Sequence, residues 1–128
     1  MIISQPGGPE VLKAVERELV SPGPDEVSIR HEIIGVNFVD IYFRSGLYPQ
    51  PYPQAVPGFE GAGVVTATGS NVRSFAAGDR VAYTGNPMGA YAECRNIPAS
   101  RLIRMVWTLV QPVVRCFGAL PRICYSTK

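Results

Sequence analysis

At 128 residues the chain is long enough for one domain, burying roughly two-thirds of the surface its unfolded form exposes, and too short for two sizeable ones. Charged residues at 17% and hydrophobic ones at 46% exclude both a polyelectrolyte and a low-hydrophobicity disordered chain, and a net charge of +2 leaves no footprint for nucleic acid. Three cysteines, an odd number, argue against a secreted disulfide framework; no segment holds the ~20 apolar residues that span a bilayer, and MIISQPGGPEVL lacks the basic and apolar regions of a signal peptide. The expected setting is cytoplasmic, with no membrane partner.

The charge is unevenly placed. Residues 1–104 hold nine basic and ten acidic side chains, a net of −1, whereas residues 105–128 hold Arg115, Arg122 and Lys128 and no acid, a net of +3. Cys116 and Cys124 also fall in that tail, with Cys94 in the body. The division predicts a domain over 1–104 followed by an atypical, irregular tail over 105–128. Thirteen glycines and twelve prolines without a repeat predict many turns and short strands.

In chain order, a Pro/Gly turn at 6–9 opens an extended stretch through Val20, and a second turn spans 21–25. Residues 26–34 alternate, placing Val27, Ile29, His31 and Ile33 on one strand face and Ser28, Arg30, Glu32 and Ile34 on the other. His31 therefore reads as a hydrogen-bonded core or rim residue. The period then changes: Asn37 is an N-cap and Gly46 a left-handed terminus, bounding a two-turn helix on which Phe38, Ile41 and Tyr42 share a stripe. Spacing alone makes that stripe buried. Pro49, Pro51, Pro53 and Pro57 enforce an irregular loop. Three strands follow in GFEGAGVVTATGS, AAGDRVAY and GAYAECRNI, with Gly58, Gly61 and Gly63 marking close backbone approaches.

Chemical motifs are scarce. Gly61, Gly63 and Thr66 give a glycine pattern followed by β-formers, where a dinucleotide fingerprint needs a helix N-terminus. One histidine and three cysteines without a CxxC pair cannot supply a four-ligand structural zinc. Cys94 reads as a small buried apolar residue, and Asp40, Glu60 and Asp79 as a helix cap, a buried ion pair and a turn.

Taken together, GGPEVL (7–12), GVNFVDIYFRSGLYP (35–49), PGFEGAGVV (57–65), AAGDRVAY (76–83) and GAYAE (89–93) resemble the zinc-independent NADPH:quinone oxidoreductase, or zeta-crystallin-like, branch of the medium-chain dehydrogenase/reductase superfamily. The resemblance implies a mainly β fold with short helices, a partly open GroES-like β-barrel, followed in full-length members by a Rossmann domain that this chain does not contain. It implies NADPH as cofactor of full-length members, bound weakly or not at all by this chain, a quinone as substrate and no zinc, since Asn37 and Phe59 stand where zinc-dependent relatives have a cysteine and a histidine. Asn37, Phe38, Val39, Asp40, Ile41 and Tyr42 would line the nicotinamide side, with Arg44 and Tyr48 near the substrate opening and no catalytic acid or base identified. The alternative is a non-catalytic product that binds a partner, a second copy or a full-length subunit.

Overall fold

A computed structural model of the chain describes residues 1–49 and 54–105. The elements are β1 (Ile2–Ile3), a 3-10 turn at Pro9–Val11, β2 (Leu12–Lys13), β3 (Glu26–Ile34), α1 (Phe38–Ser45), β4 (Glu60–Thr68), β5 (Arg80–Thr84), β6 (Cys94–Pro98), a 3-10 turn at Ala99–Arg101, and β7 (Ile103–Arg104). Five strands pair antiparallel in the order β6-β3-β4-β5-β7, and the sheet does not close on itself; β1 and β2 form a separate ribbon. A mostly β, partly open barrel with one α-helix is thus the architecture of the described residues.

The sheet is built around β3, which pairs with β4 on one side and β6 on the other. Val27 and Ile29 are fully buried there with Val65, Val81 and Ile97. Val27 and Ile29 take the predicted inward places, but Ser28 between them is also buried, and the ladder to β4 shifts register first between Ser28 and Ile29. A register shift between His31 and Ile33 inserts an unpaired residue, so Ile33 turns to solvent and Ile34 packs on the core, the reverse of the faces predicted from the sequence. The close approaches expected at glycines are present: a Cβ on Gly63 would strike the Arg30 carbonyl, and one on Gly58 would strike the Tyr91 ring.

The expected extended stretch is strand only at its start, and one expected strand begins later than its sequence. The stretch through Val20 has no strand beyond β2, and residues 14–20 are exposed. Its charges Glu16, Arg17 and Glu18 interrupt any apolar face that could hold it to the sheet. GAYAE is a loop, and strand begins only at Cys94, because the N–H groups of Gly89, Ala90 and Tyr91 donate to the Pro57 and Gly58 carbonyls instead of to a neighbouring strand. Cys94 itself is half-buried. Beyond β7 the Met105 N–H donates to the Arg80 carbonyl at 2.8 Å; the tail expected from 105 onward lies, apart from Met105, outside the described residues, as do Cys116 and Cys124.

Candidate functional site

The chain leaves β3 at Ile34, and Gly35 ties that exit to the start of β4 by an N–H bond to the Glu60 carbonyl at 3.0 Å. Helix α1 begins three residues later, at Phe38. Asn37 takes an extended conformation at the N-cap, and its backbone N–H donates to Asp40 Oδ2 at 2.8 Å, satisfying a donor that the first turn would otherwise leave open. Gly46, at φ 83°, ends the helix in the left-handed conformation expected of it.

The buried side of this helix is not the predicted stripe. Asp40 is 5% exposed, whereas Phe38 is 77%, Ile41 41% and Tyr42 38% exposed. Helical spacing identifies residues that share a face; it cannot say that the face is covered. Here a carboxylate points inward, held by Asn37 and by the Tyr91 hydroxyl, which donates to Asp40 Oδ2 at 3.1 Å. Burial and the adjacent carboxylate push the Tyr91 phenol well above its ordinary pKa, which keeps it a donor. Asp40 Oδ1 and, one turn later, Arg44 Nε are buried without a hydrogen-bond partner among the described residues.

The remaining expected site residues divide around this helix. Asn37 and Val39 are half-buried and Tyr48 is exposed. Tyr48 folds back on α1, its N–H donating to the Tyr42 carbonyl at 3.1 Å and its ring standing edge-on to Tyr42 and Phe43 at 5.5 and 5.4 Å. Phe59 extends the group, 5.2 Å from Phe43 between centroids. Tyr42, Tyr48, Phe43 and Phe59 thus form a continuous aromatic shelf. Arg44 is half-buried, its charge close enough to act on the Tyr91 phenol and its carbonyl accepting from the Gly7 N–H at 3.0 Å.

Glu60 borders the same place. Its carboxylate and the Asn37 amide both lie against Gly35, and the Thr84 hydroxyl donates to Glu60 Oε1 at 3.4 Å. The buried ion pair expected of Glu60 is not found among the described residues: the carboxylate is half-buried and meets a hydroxyl, its solvent access removing the need for a counter-cation. Asp79 does close a turn, accepting from the Ala76 N–H at 2.8 Å, and also pairs with Arg104 at 2.9 Å. The polar groups at the helix start are the Asn37 amide and the carboxylates of Asp40 and Glu60, without the histidine or cysteine that zinc prefers, and no cluster of three or more potential ligands occurs among the described residues.

His31 belongs to a separate polar cluster inside the sheet. Its Nδ1 faces the Ala92 carbonyl at 2.7 Å, which can only accept, so Nδ1 carries the proton and Nε2 accepts from the Tyr83 hydroxyl at 2.8 Å. Arg95 Nη1 donates in turn to the Tyr83 oxygen at 3.3 Å, and Arg95 Nη2 to the Pro87 and Met88 carbonyls, each at 3.1 Å. Desolvation, followed by the Arg95 charge, drives the His31 pKa down against the Ala92 hydrogen bond, and burial raises that of Tyr83. This is the hydrogen-bonded core histidine that the alternation pointed to. Sequence reading gave no role to Tyr91, Phe43, Thr84 or Arg95. Tyr91 lies 51 residues from Asp40 in the chain, a separation no local pattern encodes.

Comparison with known proteins gives this geometry a family. Residues 23–108 match the alcohol dehydrogenase GroES-like domain. A quinone oxidoreductase of Pseudomonas aeruginosa is 48% identical over 99 residues, which are 77% of this chain and 30% of that protein. Among solved structures, a quinone oxidoreductase of Pseudomonas syringae has a TM-score of 0.78 at 49% identity, covering 81% of this chain and 32% of its own. The Escherichia coli quinone oxidoreductase, solved in complex with NADPH, has a TM-score of 0.79 at 42% identity with the same coverage. The chain spans about 30% of the length of the curated relatives it matches. It belongs to the alcohol dehydrogenase GroES-like domain family, in the quinone oxidoreductase, zeta-crystallin-like branch.

Proposed function

We propose that the exposed face of α1 is the ring-binding side of an NADPH-dependent quinone reductase, with residues 1–104 as its catalytic-domain portion. The observation that carries this reading is the outward placement of Phe38, Ile41 and Tyr42 on α1, with the Tyr48 ring against Tyr42, in a chain whose relatives are named quinone oxidoreductases. Exposed aromatic surface next to an uncharged amide suits a flat, heteroatom-bearing ring.

These residues fit the nicotinamide end of NADPH and not its phosphates. The one glycine pattern of note, Gly61, Gly63 and Thr66, lies inside β4, where no helix N-terminus faces an anion. Phosphate contacts therefore come from another unit in this reading. When bound, NADPH supplies the hydride, and a proton from water completes reduction of the quinone to its hydroquinone. Asn37, fixed through its backbone by Asp40, offers its amide to a ring substituent. Phe38, Ile41 and Tyr42 cover one ring face and exclude water, while Tyr48 and the half-buried Arg44 border the opening for the quinone. Orientation of two rings is the main contribution asked of the protein.

The test is titration of the 128-residue chain with NADPH by calorimetry or cofactor fluorescence, followed by quinone-dependent NADPH oxidation. Because the phosphate contacts come from another unit in this reading, the expected result for this chain alone is weak but saturable binding, with a dissociation constant on the order of 1 mM, and slow turnover. No binding at millimolar NADPH would replace this reading with a non-catalytic unit that associates with a second copy or a full-length subunit.

A further inference from the structure

Tyr91 reaches α1 from the far side of the site. Its backbone N–H donates to the Pro57 carbonyl at 2.9 Å, and the preceding Gly89 and Ala90 donate to the Gly58 carbonyl at 2.9 and 3.2 Å. The ring then lies against Gly58, whose φ of 95° and missing Cβ make room for it. From there the hydroxyl crosses to Asp40 Oδ2, the oxygen that also accepts the Asn37 N–H. One carboxylate oxygen therefore receives two donors from segments distant in sequence. Pro57–Gly58, which leads directly into Phe59 and Glu60, is stitched to the first turn of α1 through a single side chain.

We propose that Tyr91 is a positioning residue for the ring-binding face: its hydroxyl sets where Asn37 and the first turn of α1 stand relative to Phe59 and Glu60. The role of that face rests on the quinone reductase reading, whereas the contact itself does not. Without the hydroxyl, Asp40 Oδ2 keeps only the Asn37 N–H, a bond within α1's own first turn that cannot report the position of Gly58. The Gly35 bond to the Glu60 carbonyl and the Phe43–Phe59 ring contact still join the two halves of the site, but neither is made by the first turn of α1, which loses its direct tie to Pro57–Gly58. Small misplacements of positioning groups weaken binding and rate steeply, and loss of this bond is expected to weaken quinone binding on the order of tenfold.

The test uses the whole chain, labelled with nitrogen-15, with 1,4-naphthoquinone as probe. Tyr91→Phe keeps the ring on Gly58 and removes only the donor. The Asn37 amide resonance is expected to shift, with those of the next turn following, and the naphthoquinone dissociation constant to rise about tenfold. Val72→Ala serves as the structural control, since Val72 is a core residue beyond the Thr68 end of β4, away from Glu60. It should lower the melting temperature while leaving the Asn37 amide and quinone binding unchanged. An unmoved Asn37 amide in Tyr91→Phe would overturn the proposal. So would equal weakening of quinone binding in Val72→Ala. If Tyr91→Phe does not fold, Gly58→Ala, whose Cβ would strike the Tyr91 ring without touching Asp40, must shift the Asn37 amide, and no shift refutes the proposal. Failure of the unsubstituted chain to bind naphthoquinone removes the functional reading, and the Asn37 shift alone then decides the role of Tyr91.

Discussion

The interior of the sheet and the outer face of α1 invert the usual distribution of side chains. Around β3 a histidine, a phenol and a guanidinium are enclosed, while on α1 a phenylalanine, an isoleucine and a tyrosine stand open. The polar interior is tolerable because its bonds run in one consistent direction, Arg95 to Tyr83 to His31 to the Ala92 carbonyl, so that each of these donors meets an acceptor. The apolar exterior has no such internal settlement. Ile41 and Tyr42 keep part of their surface open, and Phe38, 77% exposed, gains least from the fold; that open surface is available to a ligand or another surface. What is buried here specifies the fold, and what is exposed is free to serve function.

Substitutions on the two sides should separate cleanly. The largest effect belongs to the sheet: Ile29→Ala opens a cavity at a fully buried position and should cost about 2–5 kcal/mol in urea denaturation. Next comes Tyr83→Phe, which deprives His31 Nε2 of its donor and should cost about 1–3 kcal/mol by the same measurement. A pH effect follows from His31. Its folded pKa lies below the 6.5 of the unfolded chain, so the unfolded state takes up the proton first. The stabilisation is fully present above pH 6.5 and declines as pH falls from there toward the folded value. Thermal melts between pH 7.5 and 5 should show this decline, and His31→Gln should flatten it. The smallest stability change is expected on α1, where Phe38→Ser should alter unfolding free energy by no more than about 0.5 kcal/mol. The same variant should measurably weaken quinone binding. Large destabilisation by Phe38→Ser would show that this face supports the fold after all.

Elements with a strong local signal were legible in the sequence. Alternation located β3, and Asn37 with Gly46 bounded α1, because a cap and a left-handed terminus are set by their own residues. The failures occurred where distant contacts decided the outcome. The bulge after His31 reversed the two isoleucines, and the Pro57–Gly58 carbonyls drew GAYAE out of the sheet. At the site, the sequence assembled the α1 residues but assigned them the wrong exposure, and it did not anticipate the reach of Tyr91. Asp40 looked like a cap and is one; its second bond arrives from a loop that only the folded sheet brings near.

Arg95 carries a consequence for what this framework can accept. Its guanidinium spreads over the Tyr83 oxygen and the Pro87 and Met88 carbonyls, and stacks above the Tyr83 ring at 5.1 Å from its centroid. Those contacts require a plane with several fixed donor directions, which the compact ammonium of a lysine cannot reproduce. The connection from β5 to β6 is thus fastened from within, and its outward surface is released from that task. Residues such as Asn86 on that surface can be exchanged by drift or by design, provided the arginine beneath them stays.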